Sequence, residues 1–88
     1  MFYVYYLKSQ PFPSKTYIGF TANLKQRLDT HNQGKSVYTK DFKPWSLIGF
    51  LGFDQEVKAL RFERYLKSNA GRIFIKRYFH NSASDPIE

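Results

Sequence analysis

Four side chains suited to phosphodiester chemistry occur along the chain. They are a phenol, a guanidinium, an imidazole and a carboxylate: Tyr17, Arg27, His31 and Glu63. A guanidinium neutralises phosphate oxygens, a phenol or an imidazole can handle a proton, and a carboxylate can hold a divalent cation. On a basic chain without cysteine, this set indicates chemistry on the backbone of a nucleic acid.

The segment that carries Arg27 and His31 has the pattern of a short helix. Asn23 is suited to be its N-cap and Gly34 to be its left-handed C-terminal residue, which predicts a helix up to about Asn32. Four residues apart, Arg27 and His31 lie beside the apolar stripe of this helix. We therefore expect both side chains to border the buried seam.

Three apolar segments predict a small sheet. Residues 2–8 are apolar or aromatic at both alternating positions, which is typical of a central strand covered by helices. Residues 9–14 contain two prolines and indicate a loop, so residues 15–20 are predicted to pair antiparallel to the first strand. Residues 46–53 form the third predicted strand. The expected fold class is α/β, a three-stranded, mainly antiparallel sheet flanked by helices.

Glu63 lies on the next predicted helix, at about residues 55–68, with Asp54 as its N-cap. The helical wheel places Glu63 inside the apolar arc, where an ionised carboxylate is unfavourable unless it is paired or holds a cation. Pairing with Lys67 or Arg27 is the alternative to a metal ion.

The end of the chain predicts a further helix. Gly71 is expected to end the helix that carries Glu63. Residues 72–80 alternate basic and aromatic side chains and are predicted to form a last helix packed by Ile73 and Phe74.

The composition limits the class of protein. The 88 residues are predicted to form one domain, residues 1–80, with a polar tail at 81–88. The absence of cysteine excludes disulfides and cysteine-based zinc sites and fits a reducing compartment, so we expect a cytoplasmic protein. Neither a signal peptide nor a membrane-spanning segment is predicted. The net charge of +7 favours a polyanionic partner, with nucleic acid ahead of an anionic membrane surface.

The segment between the first helix and the third strand mixes cationic and aromatic residues. It predicts an irregular or helical connection ended by Pro44, with four residues lining a nucleic-acid path: Lys35, Tyr38, Lys40 and Lys43. Tyr38 or Trp45 could stack on an exposed base. The alternative is a solvated loop pinned to the core by these two aromatic rings.

Together these residues resemble the GIY-YIG endonuclease family, in its small single-domain bacterial form. The first motif of that family is represented by Tyr3-Val4-Tyr5 and the second by Tyr17-Ile18-Gly19. Arg27 and His31 follow at the offsets of the family, and Glu63 lies on the later helix. The resemblance extends from Phe2 to about Arg77 and implies the sheet and helices described above.

The chain departs from the family pattern in two places. Tyr3 and Val4 replace the glycine and isoleucine of the first motif, and Tyr5, rather than Tyr6, aligns with its tyrosine. The asparagine that many members carry after the glutamate is absent from residues 75–78. The second departure concerns the positioning of neighbouring groups more than the central chemistry.

The resemblance implies a role for each residue. Glu63 would hold one Mg²⁺ or Mn²⁺ ion. Tyr17 would activate or orient the attacking water, which requires nearby positive charge because a free phenol has a pKa of about 10. Arg27 would supply that charge and bind a phosphate oxygen, and His31 would relay a proton or contact phosphate. Tyr5 would contact phosphate or water.

Each role has a structural alternative. Tyr5 and Tyr17 could be ordinary core aromatics, and Arg27 could form a surface ion pair with Asp29. His31 could simply close its helix by binding the last carbonyl oxygens.

The expected function is therefore a metal-dependent endonuclease that hydrolyses DNA by a one-metal mechanism, with RNA as a further possible substrate. The first rival is a non-catalytic nucleic-acid-binding module with the same fold. The second is a protein-interaction domain that uses its exposed aromatic residues.

Overall fold

Strand β1, Phe2–Ser9, occupies the centre of the structure, a computed structural model that describes residues 1–80. The other elements follow in chain order: β2 (Thr16–Thr21), α1 (Leu24–Asn32), a 3-10 turn (Lys40–Phe42), β3 (Trp45–Phe53), α2 (Glu56–Leu66), α3 (Asn69–Ile75) and a π-helical turn (Lys76–His80). The predicted tail at 81–88 lies outside the described residues.

The three strands form one sheet in the order β2-β1-β3, and β1 is antiparallel to both neighbours. The predicted fold class and the central position of the first strand are confirmed. In this register Tyr5 lies opposite Gly19 of β2 and Phe50 of β3. The register therefore brings the first predicted motif beside the second.

Strand β1 supplies a core on each side of the sheet, because side chains alternate along a strand. Val4 and Tyr6 pack towards α2 and α3 on one face. Tyr5 and Leu7 pack with Trp45 and α1 on the other face. All five side chains are buried, which accounts for the continuous apolar pattern of the first strand.

The predicted ends of α1 are confirmed. The Asn23 side-chain oxygen accepts a hydrogen bond from the backbone N–H of Gln26 at 3.1 Å, so Asn23 is the N-cap. Gly34 follows the helix with φ +75°, a conformation that favours glycine. These two residues set the length of the helix that carries Arg27 and His31.

Helix α2 is shorter than predicted, and the prediction of Asp54 as its N-cap is wrong. Gln55 occupies the N-cap position, without a side-chain hydrogen bond. The Asp54 carboxylate instead pairs with Lys58 at 3.0 Å, so it does not bind the free backbone N–H groups of the helix. The helix ends at Leu66.

The prediction that Gly71 ends this helix is also wrong, because Gly71 lies inside α3. Ser68 caps α3 by accepting a hydrogen bond from the Gly71 N–H at 3.2 Å. A Cβ atom on Gly71 would lie 2.1 Å from the carbonyl oxygen of Tyr65. The glycine therefore permits close packing of α3 on the last turn of α2.

The predicted packing of the last helix is half correct. Phe74 packs against the core, but Ile73 is 66% exposed. Gly71 and Ile75, four residues apart, are the buried positions of α3. The helix begins at Asn69, earlier than predicted, and the face that carries Gly71 and Ile75 packs inward.

The connection before β3 is irregular apart from its 3-10 turn, as predicted. Within residues 1–80, none of the helices has the length and apolar character needed to cross a membrane.

Candidate active site

Four of the five predicted catalytic residues meet on the α1 face of the sheet. β1 carries Tyr5, β2 carries Tyr17, and α1 carries Arg27 and His31. The ring centroids of Tyr17 and His31 lie 4.9 Å apart, and those of Tyr5 and Tyr17 lie 6.2 Å apart. This cluster is called the tyrosine–arginine site below.

Gly19 makes room for Tyr5 in this site. A Cβ atom at Gly19 would lie 2.3 Å from both Cζ and Oη of the Tyr5 ring. Gly19 therefore allows the side chain of Tyr5, the tyrosine of the first motif, to lie directly against β2.

A chain of hydrogen bonds crosses the site. Arg27 Nε–H donates to the Tyr5 hydroxyl oxygen at 3.4 Å, and that hydroxyl lies 2.9 Å from His31 Nε2. His31 Nδ1 lies 2.7 Å from the hydroxyl oxygen of Thr39. Because the Tyr5 oxygen accepts from Arg27, its own proton is free to be donated to Nε2. From this direction we infer that neutral His31 carries its proton on Nδ1 and that Nδ1–H donates to the Thr39 hydroxyl.

Thr39 is held in place by residues that the sequence analysis did not assign to the site. Trp45 Nε1–H donates to the Thr39 carbonyl oxygen at 2.9 Å. The backbone N–H of Trp45 donates to the Asn32 side-chain oxygen at 2.6 Å, and the Asn32 amide donates back to the Trp45 carbonyl at 3.2 Å. Trp45 is only 4% exposed, so the suggestion that it stacks on a base is wrong. Only its position after a lysine-rich segment marked it in the sequence.

The charges in the site follow from burial. Burial raises the pKa of Tyr5, and the hydrogen bond from Arg27 partly opposes this effect. Burial lowers the pKa of His31 to about 4, and the charge of Arg27 adds to this effect. The hydrogen bond to Tyr5 raises the pKa of Arg27. At neutral pH the site therefore contains a neutral phenol, a neutral imidazole and a guanidinium cation.

Two positions were considered for His31, contact with phosphate and capping of its helix, and the side chain occupies neither. Its side chain is fully buried, which leaves no surface for contact with phosphate. Both ring nitrogens face side-chain hydroxyl groups, those of Tyr5 and Thr39, so they do not bind the last carbonyl oxygens of α1. The imidazole forms the buried side of the tyrosine–arginine site, between Tyr5 and Thr39.

Replacing Thr39 with valine should disturb the proton on His31. Valine keeps the branched shape but removes the hydroxyl, so the buried Nδ1–H loses its acceptor. The free energy of unfolding should therefore fall by about 1–3 kcal/mol. ¹⁵N NMR of the imidazole should show an Nδ1–H tautomer in the wild-type protein and an altered signal in Thr39→Val. Thr39→Ser keeps the hydroxyl and should resemble wild type. An Nε2–H tautomer in the wild type would contradict the assignment.

His31 should also make stability depend on pH. A histidine in the unfolded chain titrates near pH 6.5, whereas burial lowers the pKa of folded His31 to about 4. Between these values the unfolded state binds a proton that the folded state does not. The free energy of unfolding should fall as the pH drops through this window, by at most about 3 kcal/mol, and should be independent of His31 above it.

Chemical denaturation between about pH 7 and pH 4 would measure this loss. The matched control is His31→Gln, whose side chain does not titrate and whose stability should change less over the same range. Equal pH slopes in the two proteins would contradict the prediction.

Glu63 lies on α2, apart from the hydrogen-bonded cluster. Its carboxylate pairs with Lys67 at 3.4 Å, so the predicted alternative partner is present. The Lys67 side chain is 56% exposed, and exposed ion pairs of this kind contribute little. The charge of Glu63 is nevertheless close enough to be among the smaller causes that raise the pKa of Tyr5.

A divalent ion at Glu63 would have few protein ligands. Among residues 1–80, no three histidine or acidic side chains converge to form a metal site. A single partly exposed carboxylate suits an ion such as Mg²⁺, which commonly keeps several waters and uses one or two carboxylates together with substrate phosphates. The donor set therefore fits an ion completed by water and phosphate.

The four residues of the predicted nucleic-acid path are all exposed: Lys35, Tyr38, Lys40 and Lys43. Tyr38 is 81% exposed, so it is not one of the rings that pin this segment to the core. Thr39, within the same segment, binds His31. The basic segment 35–43 is therefore anchored next to the tyrosine–arginine site.

Tyr6 lies on the opposite face of the sheet. Its hydroxyl forms a short hydrogen bond with His80 Nε2, and its ring stacks on Phe79. This placement leaves Tyr5 as the tyrosine of the first motif in the site, as predicted.

Comparison with known proteins agrees with this geometry. The GIY-YIG catalytic domain matches residues 1–78. The Structure-specific endonuclease subunit SLX1 of Candida dubliniensis is 38% identical over 91% of this chain and 29% of its own length. The corresponding subunit of Xenopus laevis is 33% identical over 69% of this chain and 23% of its own length. The chain thus spans less than a third of these relatives.

Smaller proteins are similar as well. A UPF0213 protein of Lactococcus lactis is 40% identical over 58% of this chain and 53% of its own length. The solution NMR structure of a UPF0213 protein from Bacillus halodurans matches with a TM-score of 0.50 and 28% identity, over 85% of this chain and 82% of that one. Because the family match covers nearly all of the described residues, the protein belongs to the GIY-YIG catalytic domain family.

Proposed function

We propose that the protein is an endonuclease that hydrolyses DNA phosphodiester bonds with the help of one divalent ion, Mg²⁺ or Mn²⁺. The observation that carries the proposal is the tyrosine–arginine site, in which a guanidinium is held by a buried phenol beside a second tyrosine. Membership of the GIY-YIG catalytic domain family and the endonuclease names of relatives support it.

Arg27 is the phosphate-binding residue in this proposal. Its Nε–H is held by Tyr5, and further N–H groups of the guanidinium can bind a non-bridging phosphate oxygen. No acidic side chain among the described residues forms an ion pair with Arg27, including Asp29. The positive charge is thus available to stabilise the charge that develops on the phosphate.

Tyr17 orients the attacking water or accepts its proton. It lies close enough to Arg27 to contribute to the raised pKa of the guanidinium, so a cation adjoins its phenol. Tyr5 has a raised pKa and acts as a hydrogen-bond donor to His31 rather than as a base. His31 is therefore a positioning residue that holds Tyr5, and through it Arg27.

Glu63 is the metal-binding residue. When bound, a divalent ion supplies Lewis-acid stabilisation of charge on the phosphate and leaving oxygens. Glu63 would hold the ion through its carboxylate, and its weak pair with Lys67 can be displaced. The basic segment 35–43 binds DNA phosphates through its lysines, with Tyr38 able to stack on an exposed base.

The test is cleavage of labelled duplex, branched and single-stranded DNA, with RNA as a comparison, in Mg²⁺, Mn²⁺ or EDTA. Wild type should cut only with metal, and Arg27→Ala should lose about 10²–10³ in rate because a transition-state charge partner is removed. Lys25→Ala, on the same helix but exposed, is the matched control and should retain cleavage. Salt-sensitive binding without cleavage would identify a non-catalytic module, and salt-insensitive capture of a protein would favour an interaction domain.

A further inference from the structure

A second concave site lies on the face of the sheet opposite the tyrosine–arginine site. It is a pocket of about 320 Å³ between β2, the end of α2 and α3. Its floor is apolar, formed by the ring of Tyr6 and by Ile18, Leu66 and Ile75. We call it the Arg72 pocket. Its volume is at the lower end of the range of small-ligand sites.

Two cations stand at the rim of this floor, Lys67 and Arg72. Arg72 is exposed and has no ion-pair partner among residues 1–80. Lys67 lines the pocket while its ammonium group lies 3.4 Å from Glu63. The same lysine therefore borders both the pocket and the carboxylate assigned to the metal.

The pocket is built by packing rather than by a loose surface loop. The absence of a side chain at Gly71 lets α3 contact the backbone of Tyr65 and Leu66, and Ser68 caps this helix. Arg72 follows directly on this close contact, so the helix crossing sets its position. On the other side, the hydrogen bond between Tyr6 and His80 holds the π-helical turn against the floor.

An apolar floor next to two cations suits a ligand with a flat apolar part and an anionic group. We propose that the Arg72 pocket receives one unpaired nucleotide of the DNA substrate, with its base on the floor and its phosphate between Lys67 and Arg72. The assignment of the nucleotide to a cleaved DNA strand rests on the proposed nuclease function. The pocket has room for one nucleotide and not for a duplex, and a base must leave its stack to enter such a site.

Lys67 connects this site to Glu63. A phosphate bound between Lys67 and Arg72 competes with the Glu63 carboxylate for the same ammonium group. Occupation of the pocket therefore weakens the ion pair that opposes cation binding at Glu63. A DNA strand that is unpaired beside the cut should be the preferred substrate.

Binding can be tested without cleavage, by NMR titration of the whole protein with thymidine 5′-monophosphate in EDTA. Signals of Thr16, Ile18 and Ile75 should shift, and Arg72→Ala should weaken binding roughly five- to tenfold. Arg64→Ala removes another exposed arginine, which lies outside the pocket, and should bind like wild type. Inorganic phosphate and thymidine alone should each bind more weakly than the nucleotide.

A second variant fills the pocket. Thr16 is an exposed lining residue at the start of β2, so Thr16→Trp should block the nucleotide, whereas Ser14→Trp, in the preceding loop, should not. Overturning results would be shifts confined to segment 35–43, or equal affinity for phosphate and nucleotide. Loss of binding in Arg64→Ala as well as Arg72→Ala would also overturn the proposal.

Cleavage separates the two proposals. Duplexes with one unpaired thymidine beside the cut should be cleaved faster than fully paired ones, and Thr16→Trp should remove this difference. Nucleotide binding in the pocket without any cleavage would contradict the nuclease function but support the pocket as a nucleotide-binding site. Cleavage that depends on Glu63, together with no nucleotide binding, would contradict the pocket alone.

Discussion

Replacing Glu63 with glutamine is expected to abolish metal-dependent cleavage, because the amide has nearly the same shape but lacks the anionic oxygen that a hard cation prefers. Charge stabilisation by a metal ion contributes several kcal/mol to a phosphoryl reaction. The rate should therefore fall by about 10³-fold or more. Affinity for DNA in EDTA should stay the same or increase, since one negative charge is removed from a phosphate-binding surface.

The measurement is single-turnover cleavage combined with Mn²⁺ binding followed by paramagnetic broadening of α2 signals. The broadening should centre on Glu63 in the wild type and disappear in Glu63→Gln. Glu56→Gln is the matched control, because Glu56 lies in the first turn of the same helix and is exposed. Unchanged cleavage in Glu63→Gln would refute the assignment of the metal to this carboxylate.

A Gly19→Ala substitution should also damage the site, although it removes no reactive group. The new methyl would lie 2.3 Å from Cζ and Oη of Tyr5, far inside contact distance. Tyr5 is 2% exposed and packed among other core residues, so the ring cannot move freely aside. The hydrogen bonds of its hydroxyl to His31 and Arg27 would break, and Tyr5 would no longer hold the phosphate-binding guanidinium in place.

The expected loss of cleavage is about 10²-fold, the size associated with a displacement of roughly 1 Å in a catalytic group. Overpacking should also lower the unfolding free energy by about 1–3 kcal/mol. Cleavage rates and chemical denaturation, measured together, would separate the two effects.

Gly52→Ala is the matched control for this experiment. The nearest atom to a methyl at Gly52 would be the sulfur of Met1 at 2.6 Å, the flexible end of a 70% exposed side chain that can move away. It should therefore be tolerated in both assays. Equal behaviour of the two variants would show that the contact between Gly19 and Tyr5 does not support the site.

Local signals predicted the elements that carry the site. The ends of α1 follow from Asn23 and Gly34, whose side chain and backbone freedom act within a few residues. Predictions failed where packing between distant segments decides the outcome. Gly71 resembles a helix breaker in sequence, yet its role comes from contact with the last turn of α2.

The sequence by itself determined the three strands, the first helix and the identities of the reactive groups, because periodicity, capping and motif order are local properties. Only the tertiary structure decided how those groups are connected. His31 meets Tyr5 and Thr39 because the sheet register and the helix packing bring separate segments together. Burial in that contact, more than residue type, makes the imidazole a neutral support for the tyrosine–arginine site.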